Sequence, residues 1–187
     1  MSVDEQLDEL DESGNLTGRV INFSVAHKNN VPHRIATVLV FRPNGKLLVQ
    51  VHKYHNRLLD HSVGGHVESG ESYKQAAKRE MEEELGLNVP ISLVAPDVIS
   101  HEYYKNLQSG LTHVFGVFTA KVSATWKHTE TEEVDQLIEM PVEEIVEQMN
   151  ENPDKFLQGF MTSLGAYLRV TKSPLKITAY GKEWGEL

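Results

Sequence analysis

The sequence predicts an α/β (α+β) fold, a mixed β-sheet between helical layers. Three observations carry that expectation. Runs of β-branched and apolar residues alternate with turn signals, helical periodicity is confined to a few segments, and hairpin spacing replaces a regular strand–helix–strand repeat. No low-complexity linker, internal repeat or compositional break divides the 187 residues. Residues 16–187 are therefore expected to form a single domain, preceded by a loose acidic N-terminus over residues 1–15.

The elements follow in order. DESGNLTGRV reads as a turn leading into the strand RVINFSVAH. RIATVLVF and KLLVQVH are apolar runs separated by RPNG, and Asn44-Gly45 predicts an antiparallel hairpin between them. HNRLLDHSVGGHVESGES reads as a glycine-rich loop. Residues 72–85 are expected to be helical, opened by Ser72 and Gln75 as a capping box and ended by Gly86. ISLVAPDVIS and LTHVFGVFTAKV read as strands, and KHTETEEVDQL as a loop. PVEEIVEQM is a short helix with Pro141 in its first turn. In PDKFLQGFMTSLGAYLRV, Leu157, Phe160, Met161, Leu164, Tyr167 and Leu168 recur at helical spacing, which makes a core-facing stripe.

Composition narrows the function. With 27 acidic against 18 basic residues the net charge is −9 at pH 7. A surface of that sign disfavours nucleic-acid backbones and anionic membranes. An acidic protein that handles phosphates does so through a metal. The absence of cysteine removes disulfides, thiolate nucleophiles and Cys-based metal sites. MSVDEQLDELDESG is the reverse of a signal peptide, and no apolar run approaches the roughly 18 residues of a membrane span. The expectation is a soluble, cytoplasmic protein.

The run REMEEELGL, residues 79–87, then stands out. On a helix, at about 100° per residue, Glu80, Glu83 and Glu84 fall within an arc of about 100°. Ala77, Met81 and Leu85 form the adjoining core face, and Glu82 points away. The helix alone leaves two readings open. One is a solvated acidic face partnered by Arg79 and Lys78; the other is a site for a hard divalent cation. Gly64-Gly65 precedes the helix in a segment where backbone can approach an ion closely. Glu71 lies near the helix N-terminus, where a carboxylate is favoured.

Gly65, Glu71, Arg79, Glu80, Met81, Glu83, Glu84, Gly86 and Leu87 together resemble the Nudix box, Gly-x5-Glu-x7-Arg-Glu-U-x-Glu-Glu-x-Gly-U with U apolar. All nine specified positions agree. Average residue usage gives such a match on the order of once in 10⁹ start positions. The resemblance implies a Nudix-type α/β/α sandwich with a mixed β-sheet. It also implies hydrolysis of a diphosphate linkage in a nucleoside diphosphate joined to another group.

Carried onto this chain, Glu80, Glu83 and Glu84 become metal ligands, helped by the Gly64 carbonyl. The ion would be Mg²⁺, with Mn²⁺ as a substitute. Glu71 and Arg79 would brace the loop against the helix, with Gly65 and Gly86 structural in the motif. The catalytic base would be Glu83 or a carboxylate of the KHTETEEVDQL loop, where Glu133 is chosen. Arg57, His66 and Tyr103 are put forward as substrate contacts; the partner is a small-molecule diphosphate, and a homodimer accords with family habit. A binding module that keeps the fold without turnover is the alternative from another class.

Parts of the chain also resemble the isopentenyl-diphosphate isomerase branch of the superfamily, which holds a metal through histidines. His27, His33 and His66 fall at or near those positions. Two departures count against isomerisation: Gly64 stands where that branch has its essential cysteine, and Thr112-His113-Val114 replaces its acidic pair. The nine histidines are each read singly as surface or hydrogen-bonded residues. A second metal site of His27, His33 and His66 is the competing reading.

Overall fold

The computed structural model describes residues 5–53, 57–104, 109–129, 131 and 134–186. Strands β1 (Gln6–Leu10) and β2 (Leu16–Asn22) form a two-stranded antiparallel sheet, followed by helix α1 (Phe23–Asn29). Two sequence expectations change here. The acidic start is not loose over residues 6–10, because Leu7 and Leu10 are 0% and 2% exposed and anchor β1 to the body. The strand expected to run through His27 instead ends at Asn22. The Asn22 side chain accepts the Ser24 N–H as an N-cap and starts a helix, and Asn30 closes it in the left-handed region.

The main sheet is mixed. Strand β3 (His33–Phe41) runs parallel to β8 (Ser109–Lys121) and antiparallel to β6 (Val63–His66); its one paired contact with β4 (Leu47–His52) is Phe41 opposite Leu47. Gly45 takes φ +84° in the β3–β4 turn, which is why the Asn44-Gly45 signal reads true. Beyond that turn β4 diverges from β3 and pairs with β5 (Leu59–Asp60) and β9 (Val134–Met140). Strand β7 (Ile91–Tyr104) closes the other edge against β8. The segment expected as a glycine-rich loop thus contributes β5 and β6, and the end of the KHTETEEVDQL loop is β9.

Alternation along β3 sorts the core into two layers. Ala36, Val38 and Val40 pack with Ala76, Ala77, Met81 and Leu85 of α2 (Tyr73–Leu85). Ile35, Leu39 and Phe41 face α3 (Val142–Glu151) and α4 (Gln158–Val170), where Phe160, Met161 and Leu164 are fully buried. Helices on both faces of a mixed sheet make this an α/β/α sandwich. No helix among the described residues is long and apolar enough to cross a membrane.

Candidate active site

Helix α2 is fixed at both ends. Ser72 and Gln75 form the reciprocal capping box, and Gly86 ends the helix at φ +61°. Its apolar face is buried, so the turn carrying Glu80, Glu83 and Glu84 cannot rotate away from β6. Glu80 and Glu84 are 7% and 4% exposed, whereas the Glu83 side chain is 53% exposed.

Gly65 explains how Glu80 fits. A Cβ at position 65 would overlap the Glu80 carboxylate, so the missing side chain leaves the space that Glu80 occupies. Glu84 accepts from the buried Gln50 Nε2 at 2.8 Å and from the Gly64 N–H at 3.4 Å. The box does not contain Gln50, which reaches Glu84 because β4 crosses behind the helix. No sequence signal pointed to it.

Arg79 gathers the cluster. Its guanidinium donates to Glu71 at 3.1 and 3.0 Å, to Glu80 at 2.7 Å, to Glu83 at 3.2 Å and to the His66 carbonyl at 2.9 Å. Glu71 also accepts the Glu68 N–H. Burial works to raise the Glu71 carboxyl, but these hydrogen bonds hold it below the usual carboxylate range. The charge problem set by the acidic run is thus met partly by one arginine tied to three carboxylates and one strand carbonyl.

The other nominated residues are more dispersed. Arg57 sits at φ +60° before β5 and donates to Gln136 Oε1 of β9 at 3.0 Å. Tyr103 is 56% exposed, and its backbone is tied to the Gln158 side chain of α4. Glu133 lies outside the described residues. Its described neighbour Thr131 donates its hydroxyl to the Glu84 carbonyl at 3.1 Å, which anchors the start of that loop beside α2.

His66, the neighbour of Gly65, projects to the opposite face of β6. There it meets His27 of α1, His33 at the start of β3 and His113 of β8, with one ligand atom from each ring all within 4.8 Å of one another. Three of these rings are buried, and His33 lies directly opposite His113 in the parallel β3–β8 ladder. His113 Nδ1 contacts Glu102 Oε1 at 3.0 Å, and Glu102 is 4% exposed. Singly, these histidines read as surface or hydrogen-bonded residues; folded, they form one cluster that includes His113.

A further histidine bears on the diglycine. A Cβ at position 64 would overlap the His61 ring, whose Nδ1 lies 2.9 Å from Asp60 Oδ1. The space that a side chain at 64 would use is therefore filled.

A sheet between helices, with an acid-bearing helix set against a diglycine strand, defines the Nudix class of domain. A family model of the NUDIX domain matches residues 31–160, and the chain belongs to the Nudix hydrolase family. A protein of Serratia proteamaculans named isopentenyl-diphosphate Delta-isomerase is 28% identical over 174 residues, 86% of this chain and 89% of its own length. An uncharacterized Nudix hydrolase of Yersinia pestis is 31% identical over 160 residues, covering 82% of each chain. Among solved structures, a protein of Deinococcus radiodurans superposes with a TM-score of 0.60 at 22% identity, covering 78% of this chain and 88% of that one. At that identity the likeness is one of fold.

Proposed function

We propose that the protein is a divalent-metal-dependent pyrophosphohydrolase acting on a nucleoside diphosphate joined to another group. The observation that carries this reading is the box in its folded form. Glu80 and Glu84 are buried against β6, and Glu83 stands at the rim of the same helix. Three hard oxygen donors suit Mg²⁺ or Mn²⁺, and Gly65 leaves room for one of them, so the residues present fit the ion. Glu80, Glu83 and Glu84 would hold it with the Gly64 carbonyl. When bound, Mg²⁺ neutralises charge on the diphosphate and lowers the pKa of water.

The chain's own residues supply orientation and proton acceptance. Arg79 fixes Glu80 and Glu83 relative to β6, and Gln50 fixes one oxygen of Glu84. In this reading Glu83, the most exposed of the three, takes the proton of an attacking water, with Glu133 as the other candidate base; the exposure of Glu83 supports the choice. The proposed substrate is a small molecule.

The name of the Serratia relative raises isomerisation. Against it stand the absence of any cysteine and the His61 ring beside Gly64, which occupies the space a thiol-bearing side chain would need. The test is phosphorus NMR of nucleotides, nucleotide sugars, dinucleotides and coenzymes, with Mg²⁺ and with excess chelator. Mg²⁺-dependent cleavage of one class is expected, and the products identify the phosphorus attacked. No cleavage, despite measured metal binding, would replace the hydrolase reading with that of a binding module.

A further inference from the structure

The loop between β6 and α2 is held from outside the acid-bearing motif. The family match begins at residue 31, and strand β1 precedes it. We infer that Asp8 of β1 is a positioning residue for the metal-binding carboxylates, acting through the turn at residues 68–71 and Arg79, a role that rests on the hydrolase reading above.

Strand β1 takes up the chain where β6 ends. One residue past β6, the Val67 N–H still donates to the Arg34 carbonyl of β3 at 3.1 Å. Leu7 then pairs with Glu68 as an isolated antiparallel bridge, and the Ser69 N–H donates to the Gln6 carbonyl at 2.7 Å. A turn follows, closed by the Glu71 N–H on the Glu68 carbonyl at 2.9 Å, with Gly70 at φ +84°. Buried Leu7 and Leu10 keep β1 itself in place.

The Asp8 side chain adds what backbone pairing does not. Its Oδ1 accepts the Ser69 hydroxyl at 2.7 Å, and its Oδ2 accepts the Gly70 N–H at 3.3 Å and Arg34 Nη2 at 2.7 Å. The Asp8 and Arg34 side chains are largely shielded from water. The Arg34 guanidinium also lies over the ring of Tyr73, the first residue of α2, 5.5 Å from its centroid. One carboxylate thus ties β1 to the turn, to β3 and, through Arg34, to the start of the acid-bearing helix.

The far end of that turn is Glu71. Both its oxygens face Arg79, at 3.1 and 3.0 Å, and Arg79 donates in turn to Glu80 and Glu83. Arg34 carries a second positive charge within electrostatic reach of Glu71. While Asp8 holds Arg34, the Glu71 carboxylate is left to Arg79. With Asp8 removed, the turn loses its Ser69 and Gly70 anchors and Arg34 is released to compete for Glu71. Glu80 and Glu83 then lose the brace that sets them against β6. Groups directly behind metal ligands are worth about 10- to 100-fold in metal affinity. Asp8 acts at one further remove, so the lower end, about 10-fold, is expected.

The test uses the full chain, first without metal and then titrated with Mn²⁺. The Arg79 Nε–H resonance in proton–nitrogen correlation spectra reads the bond to Glu71 with neither metal nor substrate present. Electron paramagnetic resonance of free Mn²⁺ reads the carboxylates, at a temperature well below the melting midpoint. Asp8→Ala should shift and broaden the Arg79 resonance and weaken Mn²⁺ binding about 10-fold. Glu9→Ala removes the neighbouring ion pair with Arg19 on the same hairpin and should leave both readouts unchanged. Ser69→Ala removes one anchor of the turn and should move the Arg79 resonance in the same direction, which keeps the test open where Asp8→Ala fails to fold. An Arg79 resonance unmoved by Asp8→Ala and Ser69→Ala, or moved equally by Glu9→Ala, would overturn the inference and leave Asp8 a holder of the hairpin alone. A parent chain that binds no Mn²⁺ would overturn the hydrolase reading instead, and the Arg79 resonance would still decide the link from Asp8.

Discussion

Glu80 and Glu84 are held inside the protein by different neighbours, which separates their expected behaviour on substitution. Glu84→Gln keeps one oxygen for Gln50 to donate to, and removes the charge together with the second acceptor, which takes only the longer Gly64 N–H contact. The fold should persist, with a thermal midpoint within a few degrees of the parent, while Mg²⁺-dependent kcat falls by at least about 100-fold, or roughly 2.7 kcal/mol of barrier. Gly65→Ala acts differently. The added methyl meets the end of the Glu80 side chain, which can swing aside, so the damage should fall on activity rather than folding. A displacement of that kind costs about 100-fold in rate. Steady-state kinetics beside a melting curve checks both variants, and an unfolded Gly65→Ala would show that the carboxylate cannot move. At this scale the carboxylates were legible because their spacing is a property of one helix. Gln50 and His113 were not, since each reaches its cluster through a strand pairing that leaves no local mark.

Elements were legible where a local signal decides the conformation. The α2 boundaries follow from Ser72, Gln75 and Gly86, and the bonds exist: Ser72 N–H donates to Gln75 Oε1 at 2.9 Å, and Gln75 N–H to Ser72 Oγ at 3.3 Å. Ser72→Ala should therefore cost about 1 kcal/mol. For a chain of this size that is a midpoint shift of roughly 2–4 °C. Urea denaturation should give a lower midpoint at an unchanged m-value; an unchanged midpoint would mean that packing of Ala76, Ala77 and Met81 alone sets the helix. Elements were misread where tertiary pairing overrides local pattern. SVGGH is poor in strand formers, yet Val63–His66 pairs with β3 because each glycine makes room for a side chain brought from elsewhere, His61 at 64 and Glu80 at 65. RVINFSVAH reads as a strand by its β-branched residues, but the Asn22 cap turns its second half into α1 and so delivers His27 to the cluster.

On the scale of the whole molecule, the register between β3 and β8 decides most. Eighty residues of sequence separate His33 from His113, and only the parallel ladder sets them opposite each other. That closeness has a cost that pH should reveal. Burial chiefly, then repulsion from His113, lowers the His33 pKa to about 3, against an ordinary value of 6.5. Burial and the surrounding imidazoles push His66 in the same direction. Between pH of about 6.5 and about 3 the unfolded chain binds a proton at His33 that the folded chain refuses. Stability therefore rises with pH through this window and is lost as pH falls, by roughly 1.4 kcal/mol per pH unit for each such histidine. Paired carboxylates such as Glu71 add their own loss only nearer the bottom of the window, since their pKa values start below 4.5. Chemical denaturation of the chelator-treated protein at pH 7.5, 6.5 and 5 reads the histidine contribution, because these points lie above the range in which the carboxylates titrate. The expected outcome is little change from pH 7.5 to 6.5 and a steep decline below it, with proton uptake on unfolding at pH 5. Stability that stayed flat from pH 7 to 5 would mean that these imidazoles accept protons in the folded state, and that the cluster is not the closed, buried set the register implies.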